Sequence, residues 1–191
     1  MAVDHSSINR WAIRFLPLLE KAFRNHKYPV GKSWRMDETY IKVKGAWKYL
    51  YRAVDKQGKT VDFLLTVKRD ASAAKRFVDK PMRYSKVPGT VTMDKSGADK
   101  AALDQLNTER EIPIEIRQVK YFNNIVELDR RAVKRVTRPM LGFKLFRSAQ
   151  AILAGIELIH MICKGQFMME GCDDMSFADQ FYTLARQVRP A

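Results

Sequence analysis

The chain has 191 residues, enough for one main domain with a small appendage and a substantial buried core. Its 46% apolar content excludes a disordered chain, and 35 Lys and Arg against 21 acidic residues leave a formal charge of +14. A surplus that large favours a polyanionic partner, nucleic acid or an anionic membrane surface.

The N-terminus carries Asp4, His5 and two serines where a secretory signal needs an apolar core. Residues 4–16 place Ile8, Trp11, Ala12 and Phe15 at helical spacing, with Asp4 as cap. Pro17 then predicts the start of a second helix running to about residue 25. Pro29 and Gly31 mark residues 25–33 as a connection. Strands are predicted at 34–43, 47–55 and 60–67, with Gly45 in the first turn and Gly58 in the second, giving an antiparallel three-stranded meander.

After the meander the period changes. A short helix at 71–78, a buried strand at 90–93, a helix at 98–106 and a strand at 112–119 disturbed by Pro113 follow in order. Ile125, Leu128, Ala132 and Val136 form one helical stripe over 124–136. Leu145, Ala149, Ile152, Ile156, Ile159 and Cys163 form the longest stripe, so that helix is expected to pack across the sheet. Arg147, Gln150, Glu157 and His160 interrupt the same run and make it too polar to span a bilayer. Hairpin strands followed by alternating helix and strand give an α/β order with a mixed five-stranded sheet. Cys163 and Cys172 have no second pair, so neither a disulfide framework nor a zinc site is expected and a reducing cytoplasm fits. His5, His26 and His160 are scattered and read as structural or surface residues.

Three carboxylates stand out. Asp37, in WRMDETY (34–40), and Asp94, in VTMDKSG (91–97), each sit in a strand-like apolar run, where an unpaired charge is costly. Glu127 opens a helix-like run within KYFNNIVE (120–127). Two strand carboxylates and one helix carboxylate in so basic a chain point to divalent metal acting on a nucleic-acid phosphate. Plainer readings exist: Asp37 could be an edge-strand residue paired with a cation, and Asp94 could open a turn. Asn124 and Glu127 also form a capping-box-like pair. Glu38 is left out of the site, because strand alternation sends it to the opposite face.

These motifs, with YLYRAVD (49–55) and MLGFK (140–144), resemble the DDE transposases of bacterial insertion sequences, specifically the insertion-sequence-six family. The likeness runs from about residue 4 to 167, and the acidic points occur in order with 56 and 32 residues between them. It implies a ribonuclease-H-like core over 34–167, in which neighbouring first and fourth strands bring Asp37 beside Asp94 and Glu127 approaches from the helix after the fifth. It implies Mg2+ or Mn2+, two ions, and a catalytic, metal-binding triad of Asp37, Asp94 and Glu127. The implied activity is metal-dependent DNA strand cleavage and strand transfer at element ends.

The resemblance further implies a partial helix-turn-helix over 1–26, a linker at 27–33 and a C-terminal tail at 168–191. Residues 4–11 are similar to the start of the recognition helix; Ser6, Ser7, Asn9, Arg10 and Arg14 are its candidate DNA contacts, joined by Lys95 and Lys134 in the core. Lys134, seven residues beyond Glu127, shares its helix face, opposite the stripe beginning at Ile125, and is expected to be free to meet DNA. The implied partners are double-stranded DNA (terminal inverted repeats and target), with assembly as a homodimer on DNA, no membrane, and a place in the bacterial cytoplasm on the nucleoid. Relatives carry a further stretch ahead of residue 4 that includes a first helix, and many carry Asp-His where this chain reads Asp129-Arg130. Alternatives are therefore an N-terminally shortened, catalytically impaired DNA-binding remnant, and a ribonuclease-H-like nuclease that does not transpose.

Overall fold

The computed structural model of the chain describes residues 3–94, 97–108, 110–119, 124–168 and 175–187, and at 98, 99, 124–129 and 187 the backbone alone. The chain divides into two compact units, one of residues 29–142 and one of residues 1–28 with 143–191.

The first unit is built on a sheet. Strands β1 (Ser33–Val43) and β2 (Ala46–Asp55) form a hairpin. Its two-residue turn needs positive φ at both positions, which Lys44 (50°) and Gly45 (76°) supply. The Asp55 carboxylate closes the next turn by accepting from the backbone N–H of Gln57, at 3.0 Å, and of Lys59, at 2.9 Å. That turn leads into β3 (Thr60–Thr66), antiparallel to β2. Helix α2 (Ala71–Met82) then carries the chain over to β4 (Thr90–Met93), which runs parallel to β1. Helix α3 (Gly97–Thr108) leads on to β5 (Glu115–Gln118), parallel to β4, and α4 (Asn124–Thr137) follows. The sheet order is β3-β2-β1-β4-β5, the mixed five-stranded arrangement with neighbouring first and fourth strands that the ribonuclease-H-like resemblance implies.

Strand alternation sorts the residues of β1 onto two faces. Trp34 and Met36 point into a core with Tyr51, Val91 and Met93, closed by Ala73, Phe77 and Val78 of α2 and Leu103 and Leu106 of α3. Glu38 follows the same alternation and pairs with Arg69 at 2.9 Å, just before α2. Asp37 projects to the opposite face, where α4 packs on β1.

The other unit joins α1 (His5–Arg24), α5 (Phe146–Cys163) and α6 (Phe177–Gln187). Phe23 is fully buried, with its ring edge-to-face against Phe167 at 6.1 Å and Phe181 at 5.8 Å. Leu158, Met161, Ile162 and Leu184 complete this core. Gly155 lets α1 and α5 approach, since a Cβ there would lie 2.6 Å from Leu16 Cδ1. The chain segments beyond α1 and α5 are stitched together: Tyr28 N–H donates to the Gln166 carbonyl at 2.8 Å and Met168 N–H to the His26 carbonyl at 2.7 Å.

Several sequence expectations change here. His5–Arg24 form one continuous helix with Pro17 inside it, not two helices. Asp4 is the cap as expected, accepting from Ser6 N–H. The helix survives its proline because packing of Leu19, Ala22 and Phe23 holds its second half in line. Ile8, Trp11 and Phe15 lie at the helical spacing read from the sequence and are about half exposed (52%, 50% and 46%). On α5 the buried positions include Leu153, Leu158, Met161 and Ile162, whereas Leu145 and Ile159 of the expected stripe are exposed. A helix apolar around most of its circumference hides which side is inside. Its 18 residues are long and apolar enough to cross a membrane, yet 56% of that window is buried inside the fold and Glu157 is fully buried, as in a core helix. Finally, residues 177–187, within the stretch read as a tail, form a helix whose Leu184 is fully buried.

Candidate functional site

The pairing of β1 with β4 sets the two aspartates. The parallel register runs Ser33↔Thr90, Trp34↔Val91 and Arg35↔Thr92. Continued two residues, it puts position 37 beside position 94 on the face away from α2 and α3. Asp94 is exposed at the end of β4, whereas the Asp37 side chain is only 15% exposed. Across the antiparallel pairing with β2, Asp37 meets Arg52, which is 2% exposed and therefore fixed in the sheet.

Helix α4 supplies the opposite wall. Arg130 Nε lies 4.0 Å from Asp37 Oδ2. Lys134, four residues on, is half-buried on that side, and positions 127, 130 and 134 share one face by the 3.6-residue period. Lys134 was expected to stand free on the face opposite the apolar stripe; its side chain is half-buried there. The buried positions are Val133 and Thr137, next to that face, while Val136 of the expected stripe is exposed. The helix has apolar residues on two sides, so its periodicity left the buried side open. The side chain of Glu127, the cap role of Asn124 and Lys95 lie outside the described residues.

Electrostatics mark the same place. Burial pushes the Asp37 carboxyl pKa above the usual range; Arg130 and Arg52 pull it down, and Asp94 adds a smaller upward push. The upward direction means that burial outweighs two guanidinium groups. Burial also lowers the Lys134 pKa, with repulsion from Arg130 and Arg138 adding to it. Asp37 is thus a partly buried carboxyl group faced by two guanidinium groups and next to a second carboxylate. Hard oxygen donors in that state fit a small divalent cation of the magnesium type. Among the described residues no three His, Cys, Asp or Glu side chains gather into a metal-binding group.

The N-terminal candidates occupy α1. Ser6, Asn9, Arg10 and Arg14 are exposed and Ser7 is half-buried; Ser7, Arg10 and Arg14 share a face. Local contacts already hold part of this set. Asp4 accepts from the Ser6 hydroxyl, and Arg10 Nη2 donates to Ser7 Oγ at 3.1 Å. Arg52 was not singled out from sequence; its signal was a lone charge inside the apolar strand run at 49–54.

A family model described as the DDE domain matches residues 31–166. The chain is 34% identical over 164 residues to a Staphylococcus aureus transposase for the insertion sequence-like element IS431mec, covering 85% of this chain and 71% of that protein. It shows the same identity and coverage to the S. aureus transposase for IS257 in transposon Tn4003. It is 38% identical over 80 residues, 40% of this chain, to an uncharacterised protein of Yersinia pseudotuberculosis. Among solved structures, the BIV integrase catalytic core is similar at 16% identity and a TM-score of 0.47, over 66% of this chain and 82% of that one. The HTLV-2 integrase catalytic core in its dimeric form, in complex with magnesium, is similar at 12% identity and a TM-score of 0.49, over 83% of this chain and 97% of that one.

The fold and the matched domain define a polynucleotidyl transferase of the DDE class. The chain belongs to the insertion-sequence-six family of DDE transposases.

Proposed function

We propose that Asp37, Asp94 and Glu127 are the catalytic triad of this DNA transposase and hold two divalent ions, Mg2+ or Mn2+, against the reacting phosphate. The observation that supports the reading best is the β1–β4 register, whose continuation by two residues would set position 37 beside position 94 on the sheet face where α4 packs. Bound there, the ions would supply neutralisation of charge on the phosphoryl group in transfer. The side chains have separate tasks. Asp37 and Asp94 orient ligands from the rigid sheet, and Glu127 completes the site from α4. Lys134 and Arg130 draw a phosphate toward them. In the first step water cleaves one strand at the element's end and leaves a 3′-hydroxyl. In the second that hydroxyl attacks a target phosphorus, forming a new P–O bond as the target strand's bond breaks.

The DNA partner has two parts, terminal inverted repeats and target. On this reading α1 contributes Arg10, Arg14, Ser6, Ser7 and Asn9 to end recognition, and Lys95 adds a phosphate contact near Asp94. Residues 1–26 serve as the DNA-reading segment and 34–167 as the catalytic core. The chain works on the nucleoid in the bacterial cytoplasm, as a homodimer assembled on DNA. The net charge of +14 supports the affinity such an assembly needs.

Nicking of a duplex carrying the element end tests the reading. The parent chain should nick it with Mg2+, and Asp37→Asn, Asp94→Asn and Glu127→Gln should each lower the rate by more than about 100-fold, beyond the 10–100-fold typical of residues that merely support a metal ligand. Undiminished nicking by any of the three removes that residue from the triad. A second reading, a DNA-binding remnant without catalysis, is favoured by one feature, the guanidinium beside Asp37. The same assay separates the two, since a remnant binds the duplex and leaves it intact.

A further inference from the structure

We propose that Arg130 is a displaceable counter-ion of Asp37: a DNA phosphate takes its guanidinium, the carboxylate is released to the metal, and metal binding is thereby coupled to DNA binding. The proposal rests on the reading of Asp37 as a metal ligand. Three cationic side chains crowd this one partly buried carboxylate. Arg52 faces it across the sheet, Arg130 Nε stands 4.0 Å from Oδ2, and Lys134 flanks Arg130 one turn along α4. A dication entering the same space meets repulsion from all of them.

Only some of that crowd can yield. Arg52 is 2% exposed and locked in β2. The Arg130 side chain projects from α4 and is 35% exposed, so solvent and a polyanion can reach it. It cannot shed its charge, because a guanidinium stays protonated at any working pH. Relief must therefore come by movement, and a planar fork of donors needs a new acceptor to move to. A phosphate oxygen pair matches that fork. Burial is the main cause lowering the Lys134 pKa, and repulsion from Arg130 and Arg138 adds to it.

Thermodynamic reciprocity fixes the consequence. If DNA removes Arg130 from Asp37, DNA tightens metal binding, and metal tightens DNA binding by the same factor. Without DNA the site is held by its own arginine and binds metal weakly. That arrangement delays loading of the catalytic ions until substrate is present.

The test is Mn2+ binding to the full chain, by calorimetry and by Mn2+ electron paramagnetic resonance, with and without a short duplex. Without DNA, Arg130→Ala should bind Mn2+ about tenfold more tightly than the parent, an order-of-magnitude expectation for removing a unit charge a few ångströms from a dication. Arg130→Gln, which keeps the stem but not the charge, should match it and guards against a packing effect of the alanine. Arg131→Ala removes the same charge from an exposed position next in sequence and should change affinity by less than about twofold, because exposed charge is well screened. Adding duplex should tighten Mn2+ binding to the parent by several-fold more than to either Arg130 variant. Equal Mn2+ affinity in parent and both Arg130 variants, or an equal gain on adding DNA, overturns the proposal. Asp37→Asn separates the layers. If it leaves Mn2+ binding intact, the metal-site reading itself fails; if it abolishes binding while the Arg130 variants match the parent, only the counter-ion role falls.

Discussion

At Asp37, burial raises the carboxyl pKa although Arg130 and Arg52 both act to lower it, so in the metal-free protein the charged form is the disfavoured one. A carboxyl whose folded-state pKa is raised favours folding below the unfolded carboxylate range, and that contribution is lost as pH rises through the raised value. Asp37→Asn mimics the protonated form. In chelator at neutral pH it should therefore unfold at a higher temperature than the parent, and the gap should close as pH falls below the carboxylate range, where both side chains are uncharged. Thermal melts across a pH series check this; a parent more stable than Asp37→Asn at neutral pH would mean that the two guanidinium groups outweigh burial. Gaining stability while losing activity is the usual trade at a functional residue. Asp37 and Asp94 could be singled out in the sequence as candidates, because a charge inside an apolar strand run is costly unless something holds it. The positions of Arg52 and Arg130 around them were not. No period within one segment tells which residue of another strand or helix will stand opposite.

Among the elements, the three hairpin strands and β4 lay close to where alternation and turn residues put them, since a two-residue turn with glycine leaves few registers. The helices were harder to orient. On α4 and α5 apolar residues lie on more than one side, and tertiary packing chose Val133 and Thr137 on the one and Leu158, Met161 and Ile162 on the other. Pro17 was read as a helix start because proline suits the first turn. It stands mid-helix instead, where its missing N–H and ring clash cost up to about 3 kcal/mol. Pro17 is exposed, so Pro17→Ala removes that cost with little packing lost. The variant should gain helicity by circular dichroism and be more stable by up to about 3 kcal/mol in urea titration. A neutral or destabilising result would show two helices meeting at residue 17.

For the whole molecule, the net charge of +14 and the acidic site make separable predictions. DNA binding should weaken steeply with salt, with log affinity falling by about 0.9 per log unit of salt for each phosphate contacted. Asp94→Asn should keep that slope and bind DNA as tightly as the parent or slightly tighter, because it removes a negative charge beside the phosphates. Filter binding over a salt series reads both, and a flat response would refute the electrostatic account. The central claim is that an acidic site on the sheet of this basic chain performs phosphoryl transfer. It is tested most directly by strand transfer from pre-nicked element ends, which tests the chemistry while tolerating weak end recognition. The account predicts joined product with Mg2+ or Mn2+ for the parent, none in chelator, and a loss of more than about 100-fold for Asp94→Asn and for Glu127→Gln at saturating DNA. Joined product at parental rate from Asp94→Asn, or no product from a parent chain that binds both DNA and Mn2+, would contradict it.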